Sequence, residues 1–231
     1  MAMSGWEKVV HELASPLDFI YSNSDFLIFY LSSGDVDEQL KNKKLNDFKL
    51  ISNLLINRLH QYRFAFAGTE KLSVKLEFFD LYEILKPITH LWHHEATKKG
   101  LTFLYDDIKT LPAIYSDKEL LQCILFNIIS NAIKYSYKNN DIKFSGEASK
   151  TGGYSIKIIN RGIKIDPTER ELIWKLSYRS YAARKTDARG MGVGLSVSRE
   201  LARLINASIS LLDETGDYTI FEIKSKGKGN V

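Results

Sequence analysis

Three short segments of the chain carry side chains whose types and spacing could do chemistry. The first is His11-Glu12-Leu13-Ala14-Ser15-Pro16-Leu17. On a helix, a residue two positions from Val9 or Leu13 lies about 200° around the axis, so His11 projects away from the stripe they share. An exposed imidazole titrates near neutrality and can attack phosphorus. Glu12 beside it can accept the ring proton or hold the tautomer. Pro16 lacks a backbone donor, which frees the carbonyl of Glu12 and bends the helix just past the histidine. Taken alone, a His-Glu pair is more often a solvated helix face. The second segment is Leu120–Ser136, apolar nearly all round and therefore buried, with Asn127 and Asn131 one turn apart on one face. Buried amides need partners. Either neighbouring backbone supplies them, or a magnesium ion or phosphate does, with Lys134 one step on as a cationic contact. The third is Gly190-Met191-Gly192-Val193-Gly194-Leu195, just before a helix. Glycines let backbone approach phosphate oxygens closely, and a helix N-terminus offers free amides and the positive dipole end. This run does not follow a strand as a Rossmann turn would, and it lacks the lysine of a P-loop.

Positioning these groups requires two kinds of element. From residue 4 to about 66 the pattern predicts two helices. Trp6, Val9, Leu13, Leu17, Ile20, Leu27 and Leu31 fall at steps of three and four with Ser24 filling the one gap, and Leu40, Phe48, Ile51, Leu55, Leu59, Tyr62 and Phe66 continue the rule after one step of eight. Ser32-Ser33-Gly34-Asp35 reads as the turn between them, short enough to make antiparallel neighbours. A two-helix hairpin leaves most of its apolar face wet, and a second copy would cover it as a dimeric four-helix bundle. The alternative is packing against the rest of its own chain.

Beyond Gly68 the pattern changes to alternating strands and helices. Lys75–Leu81 has strand character, and helical periodicity runs from about Leu81 to Lys99, ending at Gly100. Leu101–Tyr105 and Ala113–Tyr115 read as short strands. Asp117 is placed to cap a long helix over 118–137. Lys143–Gly146 and Tyr154–Asn160 form a predicted hairpin around Thr151-Gly152-Gly153. A helix over roughly 193–206 and a hairpin of Ser208–Leu212 with Tyr218–Lys224 close the chain. The fold class expected is α+β: a helical-hairpin domain over 1–70, then an α/β sandwich with a mixed sheet over 71–231.

Composition narrows the function classes. Of 231 residues, 32 are basic and 28 acidic, a net charge of +4 without a basic stripe, which argues against nucleic-acid binding. No run approaches the roughly 18 apolar residues of a membrane span, and no signal peptide is legible, so a soluble protein without membrane insertion is expected. The single cysteine, Cys123, suits the cytoplasm and a buried structural role.

Taken together, the segments resemble the histidine protein kinases, whose ATP-binding fold is shared with gyrase-type and chaperone ATPases. His11–Leu17 resembles the family's H-box, Asp117 through Tyr135 its N-box, and Gly190–Leu195 its G2 box. Ile173-Trp174-Lys175-Leu176-Ser177-Tyr178-Arg179 looks like a variant F-box. The resemblance spans nearly the whole chain in the same order. It implies ATP and Mg²⁺ as cofactors, His11 as phosphoacceptor and Glu12 as its acid–base partner. It implies Asn131 as the Mg²⁺ ligand, and Asn127 where related ATPases place a water-activating glutamate. Lys134 and Arg179 would contact phosphates, and Tyr135 would line the adenine pocket. Residues from about 163 to 189 would form a mobile lid, with Gly190, Gly192, Gly194 and Leu195 at its phosphate-gripping hinge. The implied partners are a second copy of the chain, a response-regulator receiver domain and a separate sensory protein.

Two departures from the family pattern stand out. Where the G1 box is usually D-x-G-x-G, this chain has Asn160-Arg161-Gly162-Ile163-Lys164. An amide at Asn160 can accept the adenine amino group's hydrogen bond without charge assistance, and Lys164 in place of the second glycine restricts the backbone. Weakened ATP affinity is the expectation. Ser15 in place of threonine keeps the hydroxyl that, in the family, orients the water for partner dephosphorylation. Two other readings compete with an active histidine kinase. One is an inactive scaffold or histidine phosphotransferase; the other is a serine kinase of the same ATP fold, which would need no H-box.

Overall fold

The computed structural model describes residues 73–186, 192–212 and 216–228, with six isolated helical positions between Glu38 and Ser52. The predicted hairpin and its dimer interface, with His11, Glu12 and Ser15, lie outside the described residues. The chain divides into two compact units, Met1–Thr69 with Arg189–Met191 and Glu70–Ala188 with Gly192–Val231. The β-sheets and the helices that cover them belong to the second unit.

Strand β1, Leu76–Phe79, pairs antiparallel with β3, Ile114–Asp117, as a separate two-stranded ribbon. Asp80 then caps α1, Leu81–Leu91, its carboxylate accepting from the Tyr82 amide at 2.7 Å. Leu81, Ile84, Leu85 and Ile88 form the buried face of that helix, at the three- and four-residue steps the pattern predicts. The predicted single helix over 81–99 is two: Trp92 leaves helical geometry, and α2 occupies His93–Lys98. Gly100 ends it, as the sequence predicts. Its amide bonds Thr97 O and that of Leu101 bonds Ala96 O, with Gly100 at φ +66°, a left-handed close with paired reverse bonds.

The main sheet has five strands: β2 (Thr102–Leu104), β4 (Asp141–Ala148), β5 (Tyr154–Arg161), β6 (Ala207–Leu211) and β7 (Tyr218–Ser225). Their spatial order is β2-β4-β5-β7-β6, with β2–β4 parallel and the remaining pairs antiparallel. This is the mixed sheet the sequence predicts, with strand ends that differ from the predicted bounds by a few residues. Along β5, alternate residues Tyr154, Ile156, Ile158 and Asn160 are buried. Opposite them on β7 stand Ser225, Ile223, Phe221 and Thr219. Helix α3, Lys118–Tyr135, covers this face together with α5, Gly194–Leu204; between them in sequence comes the short α4, Tyr181–Thr186. Leu121, Ile124, Leu125, Ile128 and Ile129 of α3 are fully buried. Each such side chain contributes about 1.5–3 kcal/mol, so packing rather than helix propensity holds α3 in place.

Candidate functional site

Helix α3 carries the candidate residues, and both of its ends are fixed. At the N-terminus, Asp117 Oδ1 accepts from the Leu120 amide at 2.9 Å, and Oδ2 accepts from the Lys75 amide at 2.6 Å. The predicted cap is thus also a tie to the β1–β3 ribbon. At the C-terminus four carbonyls need partners that the helix cannot give. Ser136 supplies its amide and hydroxyl to Ala132 O. Lys99 Nζ donates to Ile133 O at 2.8 Å and Lys134 O at 2.7 Å. The Ile163 amide donates to Tyr135 O at 3.0 Å. Burial, and then the neighbouring Lys138 charge, lower the Lys99 pKa, while its position at the negative end of the helix dipole favours a cation.

These bonds join the end of α3 to the end of β5. Ser136 forms an isolated antiparallel bridge with Gly162, and the Tyr137 amide donates to Arg161 O at 3.0 Å. Gly162 is required by that approach, because a Cβ there would stand 2.2 Å from Tyr135 O. Lys164 is another matter. It is not among the residues with positive φ, so the glycine it replaces in the family pattern is not needed here for backbone conformation. Its ammonium instead lies 3.5 Å from Asp217, whose carboxylate is also 3.6 Å from Arg161 and whose carbonyl accepts from the Gly162 amide.

The polar residues gathered at this end differ in what they touch. Asn127, 4% exposed, donates to Ser198 Oγ at 3.2 Å and, at a longer 3.4 Å, to Gly194 O, which ties α3 to the first turns of α5. For Asn127, then, neighbouring groups of the protein are partners, one of the two possibilities open from sequence. Asn131, half-buried one turn later, makes no side-chain hydrogen bond among the described residues. Nor does Asn160, 3% exposed, or the hydroxyl of Thr219, which is 9% exposed and sits opposite Asn160 in the ladder. Lys134 and Tyr135 are half-buried between these groups in sequence.

Gly192 begins the described part of the glycine run; Gly190 lies outside it. Gly192 has φ +72°, and a Cβ there would be 2.4 Å from Tyr178 O, so only glycine fits. At Gly194 a Cβ would meet Asn127 at 3.7 Å, an ordinary contact. Among the described residues no side chain caps α5, which starts at Gly194 and Leu195, and its first amides have no intrahelical partner, the arrangement that suits an anion. The expected lid segment is not loose throughout. Ile173 and Trp174 are core residues, with Trp174 edge-on to Phe221 at 5.9 Å and Arg199 stacked over its ring at 5.3 Å. Glu169 accepts from Tyr178 Oη at 2.7 Å and from the Tyr181 amide at 3.1 Å. Arg179 donates to Ala183 O at 2.9 Å.

Among the described residues no cluster of three or more His, Cys, Asp or Glu could hold an ion by itself. A magnesium ion fits nevertheless. It keeps most of its own waters and phosphate oxygens, and a single uncommitted amide oxygen, such as that of Asn131, is the kind of ligand it adds. Two residues are inconspicuous in the sequence. Thr219 is signalled only by the alternation of β7, and Lys99, which reads as a helix end, gives no sign that it reaches a different helix.

Residues 116–228 match the family model described as Histidine kinase-, DNA gyrase B-, and HSP90-like ATPase. The chain is 27% identical over 200 residues to the adaptive-response sensory kinase SasA of Synechocystis, covering 84% of this chain and 51% of SasA. With the sensor histidine kinase GlrK of Escherichia coli it shares 26% identity over 226 residues, 95% of this chain and 45% of GlrK. The chain therefore spans about half the length of these curated relatives. Among solved structures, the histidine kinase AdeS of Acinetobacter baumannii has the same fold, with a TM-score of 0.57 over 93% of this chain and 96% of that one, at 22% identity.

Proposed function

We propose that this chain, which carries a histidine kinase-, DNA gyrase B- and HSP90-like ATPase domain over residues 116–228, is an ATP-dependent histidine autokinase that phosphorylates His11. The observation that carries the reading is a set of polar side chains that make no hydrogen bond among the described residues, Asn131, Asn160 and Thr219, at the end of α3 that Gly162 approaches. Side chains of this kind keep donors and acceptors available for a polar ligand. Residues 1–70 would form the phosphoacceptor and dimerisation hairpin, and 71–231 the ATP-binding domain.

In this reading Asn160 takes the base, and Tyr135 lines its pocket. The free amides at the start of α5, with Lys134 and Arg179, hold the phosphates. Asn131 ligates Mg²⁺, which when bound neutralises charge on the β- and γ-phosphates. Asn127 cannot act as a base toward water, because it is an amide already committed to Ser198. That favours transfer over hydrolysis. The imidazole of His11 attacks the γ-phosphorus as the bond to the β,γ-bridging oxygen breaks, ADP departs, and Glu12 takes the ring proton. The fold's part is placement and electrostatics, with little covalent work. The phosphoryl group would then pass to an aspartate of a receiver domain, and Ser15 would support dephosphorylation of that partner.

The test is incubation with γ-labelled ATP and Mg²⁺ beside His11→Ala. Acid-labile, alkali-stable label that is lost in the variant supports the autokinase. Absence of both label and ATP binding would overturn it in favour of a phosphotransfer scaffold.

A further inference from the structure

The group at the base-binding position is an amide, and among the described residues no hydrogen bond fixes which way it faces. Asn160 is 3% exposed on the helix-covered face of β5, and its side chain makes no hydrogen bond among the described residues. Its same-face cross-strand neighbours are Ile142, which offers no polar atom, and Thr219. Thr219 is 9% exposed, its hydroxyl makes no hydrogen bond among the described residues, and a hydroxyl donates or accepts by rotating. An ionised carboxylate at position 160 would be acceptor-only and would select a 6-aminopurine. An amide carries an acceptor and two donors, and turning it over exchanges them without breaking a bond to any described residue.

On these grounds, and resting on the nucleotide-site reading above, we propose that the site accepts 6-oxopurine nucleotides as well as ATP. Facing adenine, Asn160 presents its oxygen to the 6-amino group. Facing hypoxanthine or guanine, it presents its amino group to the 6-oxo atom. Thr219 follows by rotating its hydroxyl. A site whose buried groups match only one pattern rejects the other strongly, because those groups are left unpaired; one that can invert its pattern does not.

Inosine and adenosine diphosphates isolate the 6-position, since inosine lacks the 2-amino group of guanosine, and neither diphosphate can donate a γ-phosphoryl group. Calorimetry of the wild-type chain with ADP and IDP, both with Mg²⁺, is the test. A Kd for IDP less than about tenfold weaker than that for ADP is expected, tenfold being the loss of roughly one hydrogen bond. Discrimination of tenfold or more overturns the proposal while leaving the ATP reading intact. Failure of both to bind overturns the ATP reading and the proposal with it. In Asn160→Asp the ratio should widen at least tenfold, through tighter ADP and weaker IDP. Should that variant not fold, the wild-type ratio still decides.

Discussion

The two ends of helix α3 both gather polar side chains and treat them in opposite ways. At the N-terminal end Ser116, Asp117 and Tyr154 are 0%, 4% and 3% exposed. All are satisfied: Asp117 by the Lys75 and Leu120 amides, Ser116 and Tyr154 by each other at 3.1 Å. At the C-terminal end the backbone is equally complete, every carbonyl from Ala132 to Tyr135 being bonded. Yet the side chains of Asn131, Asn160 and Thr219 have no protein partner among the described residues. One end pairs its polar side chains within the protein; the other keeps donors and acceptors available to something that binds.

The largest effect that could break this contrast is on activity. Asn131→Ala removes no side-chain hydrogen bond among the described residues, so its melting temperature should stay within a degree or two of wild type. Its autophosphorylation rate should fall about 10²–10³-fold, the scale for losing one preorganised ligand to developing charge. Labelled-ATP kinetics beside a thermal melt reads both. A variant that melts early but phosphorylates normally would reverse the assignment. The mirror experiment is Asp117→Ala. It strips one carboxylate from two buried amides and should cost about 2–3 kcal/mol in urea unfolding, the sum of a lost cap and an orphaned donor. A cost below about 0.5 kcal/mol would remove the structural half of the contrast.

Which end is which can be read only in part from the sequence. Asp117 before an apolar run announces a cap, and Gly100 after the last periodic residue announces a stop; both signals are local, and both hold. The apolar strand alternation likewise yields the strands of a mixed sheet, though not its order or the separate β1–β3 ribbon, because β2 joins β4 in parallel across a crossover that no local pattern encodes. The interruption at Trp92 is not legible, since Leu81–Lys99 keeps its periodicity through it. For the site, Asn127 and Asn131 look equivalent one turn apart. They become different only when α5 arrives to offer Ser198 to one of them, a contact 71 residues distant in sequence. Gly162 can be suspected, but its reason, the Tyr135 carbonyl 2.2 Å from any added Cβ, is tertiary. Lys164 reads from sequence as a restriction on the turn and is not one, because its backbone is not in the left-handed region.

A smaller effect sharpens the structural end through pH. Burial pushes the Tyr154 phenol up from 10.0 to about 12, with its bond to Ser116 opposing slightly. The folded state holds this proton more tightly than the unfolded state. The stabilisation it brings is therefore complete below pH 10 and lost as pH rises toward 12. Between pH 9 and 11 the wild type should lose about 1 kcal/mol more stability than Tyr154→Phe, in which this titration is absent. Urea midpoints across that range give the difference directly. Equal losses in the two proteins would mean that the phenol is not sealed in as the geometry indicates.

The smallest effect concerns Asp217, where the site end meets solvent. Its carboxylate faces both Arg161 and Lys164, and all three side chains are 40% exposed or more. Exposed pairs at 3.5–3.6 Å are screened and entropically costly, so together they contribute about 0–1 kcal/mol. The bond that holds the loop is the backbone one, from the Gly162 amide to Asp217 O at 2.9 Å. Asp217→Asn keeps that bond and removes the charge. It should change stability by no more than about 0.5 kcal/mol and leave the Kd for ADP within about twofold. Raising salt to about 0.5 M should erase even that difference, since the Debye length then falls to about 4–5 Å. A loss of ADP affinity well beyond twofold would show that the ion pairs, rather than the backbone register, hold the turn after β5. The distinction between a satisfied frame and an unsatisfied site would then have to include its charged rim.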